Sequence, residues 1–236
     1  MNKLIAITLL IGFVAGLSLF IFGRSIWYPY WVKIKGKTTV SEVISQIGPK
    51  HQSYINTLLT IDNNKIAPEK LAFLAFKDTK KLELWALENH QWQFLKSYPI
   101  LKTSGVLGPK LREGDRQVPE GIYNIIGFNP NSSYHLSMKI NYPNAFDLEK
   151  ANLEGRNEPG TNIFIHGKQA SIGCLAMGDD VIEKLFLLSH QMGIQNIEVI
   201  IAPTDFRKNQ LPPLKDLPSW TPELYAIIQQ KLGQFK

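Results

Sequence analysis

Residues 4–22 of this chain contain no charged side chain. They read LIAITLLIGFVAGLSLFIF, broken only by small or weakly polar residues. A segment of this kind has to leave water. At a helical rise of about 1.5 Å per residue it is about as long as a bilayer core of roughly 30 Å. Trp27, Tyr28, Tyr30 and Trp31 follow, in the position of an interfacial aromatic belt. The apolar stretch is longer than that of a usual cleaved signal, and no small-x-small site stands out. An uncleaved N-terminal transmembrane helix within residues 1–23 is therefore expected, with a cleaved signal peptide as the alternative. Orientation is contested. Lys3 precedes the segment while Arg24, Lys33, Lys35 and Lys37 follow it, which by charge alone places the body in the cytoplasm. The reading of the site below requires an external body instead.

The rest of the chain has the composition of a folded protein, with 44% hydrophobic and 19% charged residues overall. The net charge of +6 is modest and not gathered into one run, so it gives little support to a nucleic-acid partner. Residues 39–59 carry helix-spaced apolar positions. Gly48-Pro49 interrupts them, and two short helices are expected there. Residues 71–77 and 82–87 flank the turn Asp78-Thr79-Lys80-Lys81 and read as a β-hairpin, continued by 92–95. Residues 103–121, rich in Gly, Pro and charge but with Leu and Val, read as a long ordered loop. Further strands are expected at 121–126, 134–140, 161–165 and 196–202. Residues 179–192 form the one clear helix of the body: Asp179 and Asp180 stand at its start, and Val181, Ile182, Leu185, Phe186 and Leu188 line a face. Residues 203–222 hold five prolines and read as an extended connector, and 222–232 as a short amphipathic helix.

Cys174 is the only cysteine of the chain, and His166 stands eight residues before it with Gly167 and Gly173 between them. In an exported protein a single thiol has no disulfide partner within its own chain. The residue types suit cysteine acyl transfer. Cys174 supplies the nucleophile and His166 the base that takes its proton. The Gly167 carbonyl orients the imidazole, and the amides of Gly173 and Cys174 hold the oxyanion. A thiolate–imidazolium pair is expected to ionise well below the free thiol value of about 8.5, with His135 as the second choice of base. Ser171 reads as a loop hydrogen-bonder. The histidines have no zinc-ligand spacing, and no metal or other cofactor is expected. Taken by themselves a lone cysteine and a strand-end histidine are commonly structural.

The motifs His166-Gly167 and Ser171-x-Gly173-Cys174 resemble the signature of the L,D-transpeptidase (YkuD-type) catalytic domain family. Residues 108–115, 118–121, 129–134 and 141–144, with Glu154-Gly155-Arg156, look like the murein L,D-transpeptidase-like branch, some of whose members release wall cross-links. The resemblance covers roughly residues 70–202. It implies a mostly β, α+β catalytic domain: an L,D-transpeptidase-like β-sandwich with one packed helix, following a membrane or signal segment (1–23) and a linker with short helices (24–69), and followed by a connector and helix (203–236). It also implies a peptidoglycan stem-peptide substrate, a periplasmic location (anchored in the cytoplasmic membrane, or free if the segment is cleaved), a role in cell-wall biogenesis and cell shape, and acylation by carbapenems. Many relatives carry an arginine two positions after the cysteine, where this chain has Ala176. Arg156 and Arg112 are the candidate substitutes for binding substrate, beside Gly173 and Ser171. Three activities follow as expectations. The first is transpeptidation. The second is hydrolysis of cross-links or of a lysine-tethered outer-membrane lipoprotein. The third is wall binding without catalysis, which the intact Cys174 and His166 disfavour.

Overall fold

A computed structural model of the chain describes residues 3–236, with the side chains of residues 5, 7–20 and 23–236. Residues 1 and 2 of the expected anchor lie outside the described residues. The N-terminal part is helical: α1 (Lys3–Phe22), α2 (Arg24–Lys35) and α3 (Val40–Leu58). Among the described residues no single helix is long and apolar enough to cross a membrane. Ile7–Phe20 and Arg24–Lys35, bent by 76°, reach that length and composition only as a pair.

Two short helices were expected at residues 39–59, and α3 is instead one helix that passes through Pro49. Two features favour this. Thr39 and Glu42 form a reciprocal capping box at its start. Both Pro49 and Ser45, whose carbonyl loses its helical partner, are exposed, so water takes over that bond. The inner face of α3, Val43, Ile47 and Ile55, then packs in the core.

After a two-stranded ribbon, β1 (Thr60–Ile61) with β2 (Asn64–Lys65), come β3 (Lys70–Phe76), β4 (Lys81–Glu88), β5 (Gln91–Pro99), β6 (Gly121–Ser132), β7 (His135–Ile140), α4 (Ala145–Leu153), β8 (Phe164–His166), β9 (Leu175–Ala176), α5 (Asp179–Met192), β10 (Ile197–Ala202) and α6 (Thr221–Leu232). The expected β-sandwich is, in its hydrogen bonding, one continuous eight-stranded sheet of order β5-β4-β3-β10-β6-β7-β8-β9. The long β6 belongs to both halves. Residues 121–124 pair with β10, and from Ile125 onward it pairs with β7 across two register shifts.

Strand alternation divides the core in two. Leu71, Phe73 and Ala75 of β3 join Val199 and Ile201 of β10 against α3 and α5. Ala72, Leu74 and Phe76 turn the other way, with Ile200, onto Leu224, Ile228 and Leu232 of α6 and onto Phe235. A strand covered on both faces has no polar side to show, which explains the unbroken run LAFLAF. The helices expected at 179–192 and 222–232 are α5 and α6, and α4 is an additional one. α4 went unread although Asn144 and Asp147 form a capping box at its start.

Candidate active site

Two short strands bring the candidate nucleophile and base together. β9 pairs in parallel with β8, with Ile165 opposite Leu175 and His166 opposite Ala176. Continued back one residue, that register sets Cys174 beside Phe164. Positions 164 and 166 point to one face of a strand, and the Phe164, His166 and Cys174 side chains line one cavity of 310 Å³. The other edge of β9 is also occupied. Ala176 bridges to Lys102, through Leu101 N–H to the Ala176 carbonyl at 2.8 Å and Ala176 N–H to the Lys102 carbonyl at 3.2 Å.

The turn that carries the thiol is tightly determined. Gly173 has φ +89°, a conformation that favours glycine, and a Cβ there would also stand 3.3 Å from the Gln117 carbonyl. Gly167 cannot carry a side chain for a different reason: a Cβ would meet Asp179 Oδ1 and the Tyr134 carbonyl, each at 2.7 Å. Asp179 holds that turn by accepting from the Lys168 amide at 2.8 Å and pairing with the Lys168 ammonium. The helix-start charge thus serves to place the His-Gly segment.

His166 is buried, and its Nδ1 lies 2.6 Å from the Gly167 carbonyl. A carbonyl accepts only, so Nδ1 carries the proton and Nε2 keeps its lone pair. Tyr134 covers the ring, with centroids 4.7 Å apart. Burial pushes the imidazole below its ordinary pKa against the opposing bond to Gly167. Cys174 is half-buried, and its Sγ lies 3.9 Å from the Asn162 carbonyl. Burial pushes the thiol up, against the Phe164 N–H and the charge of Lys110. The expectation of a thiol ionising below its free value is therefore reversed. Burial disfavours the charged form of both groups, and among the described residues no hydrogen bond joins them.

The oxyanion expectation also changes. Gly173 N–H donates to Ser104 Oγ at 2.6 Å, and Cys174 N–H donates to Ser171 Oγ at 3.1 Å. Ser171 Oγ donates in turn to the Cys174 carbonyl at 2.6 Å. Ser171 is thus the clasp of the nucleophile's turn, and both amides are occupied.

Neither candidate arginine lines the cavity. Arg156 is spent on Glu154 at 2.6 Å and on the Leu111 carbonyl at 2.6 Å. Arg112 is exposed, on the turn closed by Asp115. The cation whose charge reaches Cys174 is the buried Lys110, paired with Asp115 at 2.5 Å. His135, the second choice of base, turns away from the thiol and bonds Glu183 Oε1 at 2.7 Å. Among the described residues no three His, Cys, Asp or Glu side chains cluster as metal ligands.

The sheet and this cleft together set a lone cysteine and a buried histidine on one cavity, and comparison supplies a family for the segment that carries them. Residues 75–191 match the YkuD family model, the L,D-transpeptidase catalytic domain, and that segment of the chain belongs to the family. More particularly, the chain is 39% identical over 113 residues to the Escherichia coli K12 protein named "Putative L,D-transpeptidase YafK", covering 47% of this chain. The match spans 44% of that relative, less than half its length. Among solved structures, Bd1075 of Bdellovibrio bacteriovorus is 22% identical, with a TM-score of 0.43 over 75% of this chain and 58% of its own. Pgp2 of Campylobacter jejuni, a helical cell shape determining protein, is 16% identical with a TM-score of 0.48 over 71% and 70%.

Proposed function

We propose that this chain is a cysteine acyl-transfer enzyme acting on peptidoglycan stem peptides as an L,D-transpeptidase. The observation that carries the reading is the shared cavity of Cys174 and His166, which the β8–β9 register sets on one face of neighbouring strands within a segment matching the L,D-transpeptidase family model. His166 Nε2 takes the thiol proton as the sulfur attacks the acyl carbonyl following the L-centre of a diamino acid residue. The same nitrogen then returns the proton to the leaving amine. Burial disfavours charge on both partners, so in this reading proton transfer accompanies attack and no stored thiolate is required. An amine then takes the acyl group from sulfur, giving a cross-link or a tethered protein.

A second reading is hydrolysis of existing links, including release of a lipoprotein held through a lysine. One observation favours it. The cavity's polar lining is Asn, Ser and Tyr apart from the imidazole, a surface that suits the neutral amide of a linked stem better than a free carboxylate. Mass analysis of muropeptides after incubation with the chain separates these readings. New cross-links support transpeptidation, and lost links support hydrolysis. An unchanged profile points to wall binding without chemistry and overturns both. A carbapenem adduct on Cys174 is expected under the first reading.

The location proposed is the periplasmic face of the cytoplasmic membrane, with α1 and α2 as its attachment. The support is the exposure of Leu9, Leu10, Ile11, Phe13 and Phe20 on α1 and of Ile26, Tyr30 and Trp31 on α2. A reporter fused after Lys236 tests it. Activity outside the membrane, retained there after a salt wash, is expected, and activity confined to the cytoplasm contradicts it. A soluble external fusion starting near residue 24 would show a cleaved signal instead.

A further inference from the structure

Two rows of residues run along opposite sides of α2. Arg24, Tyr28 and Val32 recur at every fourth position and are half-buried. Ile26, Tyr30, Trp31 and Ile34 stand at the offsets i, i+4, i+5 and i+8, which share one helix face. Their exposures are 65%, 65%, 50% and 81%, so the rest of the chain leaves this stripe open.

The half-buried row is bonded to the catalytic body. Arg24 Nε donates to the Ser133 carbonyl at 2.7 Å, and its guanidinium lies 4.2 Å from the centre of the Tyr28 ring. Just beyond the other end of α2, Thr38 and Asn131 bond each other twice. Thr38 N–H donates to Asn131 Oδ1 at 2.9 Å, and Asn131 Nδ2 donates to the Thr38 carbonyl at 2.8 Å. Residues 131 and 133 sit at the end of the β6–β7 hairpin, which is a wall of the active-site cavity. Ser132, Ser133 and Tyr134 line that cavity, and the Tyr134 ring lies over His166.

What the open stripe meets is set by its neighbours. It continues from α1, which carries no charge after Lys3. The two helices are bent by 76°, so with α1 upright in a bilayer α2 lies close to the plane of the surface. Lys33, Lys35 and Lys37 stand beside the stripe, and no acidic residue comes before Glu42. A helix with aromatic and apolar residues on one face and lysines beside them is suited to lie among phospholipid headgroups.

We propose that the open stripe of α2 lies in the headgroup layer of a phospholipid bilayer and holds the β6–β7 wall of the cavity at a fixed height above it. The inference deepens the membrane location proposed above and rests on it: α1 supplies attachment, and α2 supplies orientation. Arg24 is a positioning residue in this arrangement, acting through Ser133. Cys174 is thereby presented to stem peptides in the membrane-facing layer of the wall.

The test uses the full chain in phospholipid vesicles, with two readouts. The first is quenching of tryptophan fluorescence by lipids brominated near the headgroup end of the acyl chain. The part of the emission that Trp31→Phe removes should be quenched by them and protected from aqueous acrylamide. Emission open to acrylamide alone would place the stripe in water, and emission shielded from both quenchers would mean that a second copy of the chain covers it. Either result overturns the proposal. The second readout is energy transfer from a dye on Cys174, the only thiol, to acceptors on lipid headgroups. Transfer should fall when Ile26→Ser, Tyr30→Ser, Trp31→Ser and Ile34→Ser are combined, while α1 keeps the chain on the vesicles. Arg24→Ala should lower it as well, and Arg24→Lys, which can still donate to the Ser133 carbonyl, should keep it. Transfer unchanged in the serine variant, or equal in Arg24→Ala and wild type, overturns the proposal. A wild-type chain washed from the vesicles by salt would refute the membrane location itself. A chain retained there with its stripe unquenched refutes this inference and leaves attachment through α1 standing.

Discussion

The side chains nearest the chemistry are controlled by desolvation more than by charge. Burial lowers the His166 imidazole and raises the Cys174 thiol, so the free base persists to lower pH than in an ordinary histidine. The acid limb of the acylation rate should fall below about pH 6.5, the ordinary histidine value. Direct alkylation of the thiol should climb only above its ordinary range of about 8.5. Iodoacetamide kinetics from pH 5 to 10 check this, and a plateau of reactivity near pH 6 would show a stored thiolate instead. Gly173→Ala puts a side chain on a residue at φ +89° against the Gln117 carbonyl. It should cost about 1–3 kcal/mol of stability and displace the sulfur, lowering activity by more than the melting temperature alone would suggest. The Cys174–His166 pair was legible because its two motifs lie within nine residues of each other. The occupied amides were not, since Ser104 comes from 69 residues away to bond Gly173, and sequence spacing does not register that reach.

At the next scale, two polar clusters fix the elements that frame the cleft. Lys77, just after β3, donates to the Gly108 and Val118 carbonyls at 2.9 and 3.0 Å and pairs with Glu120 at 2.9 Å. Burial pushes this lysine down while Glu120 pulls it back up. Glu120 also accepts from the Gly108 amide and from the Tyr225 hydroxyl, tying the loop to α6. Lys77→Met removes the cation from a buried pair and should cost about 3–5 kcal/mol. Limited proteolysis should then cut within 103–120, the loop that carries Ser104 and Gln117. The second cluster clamps α3 to α5. Lys50, His51 and His135 all reach Glu183 at 2.7 Å. Burial alone would raise that carboxyl, but the three bonds outweigh it and hold it down to about 2. A depressed carboxyl contributes stability that is complete above its unfolded value of about 4.3 and is lost as pH falls toward 2. Glu183→Gln should be less stable by about 3 kcal/mol near pH 7, with the difference shrinking between pH 5 and pH 2 in thermal melts. The hairpin β3–β4, the closing strand β10 and the bounds of α5 were readable from alternation and helical spacing. The continuity of α3 was not, because Gly48-Pro49 carries a strong local breaking signal that the core packing of Val43, Ile47 and Ile55 on either side overrides. α4 does carry a sequence signal, the capping pair Asn144 and Asp147 at its start.

On the scale of the whole molecule, one sheet covered on both faces supports a cleft built at its far edge, where β8 and β9 supply five residues between them. The strands of the central half are long and apolar enough to announce themselves in the sequence. The edge strands are too short to do so, and they are the ones that place the site. The family of residues 75–191 was legible from the two motifs and is matched by the family model. The joining of the strands into a single sheet was not, because β6 changes partners midway along its length. In the proposed reaction the acyl group passes through the sulfur of Cys174. This is tested most directly by trapping the chain during turnover of a stem tetrapeptide and measuring the intact protein mass. Wild-type protein is expected to be heavier by the acyl fragment, with the added mass on the peptide containing Cys174, released by neutral hydroxylamine and absent from Cys174→Ala, whose activity falls on the order of a thousandfold or more. Turnover with no adduct on Cys174, or full activity in Cys174→Ala, would contradict it.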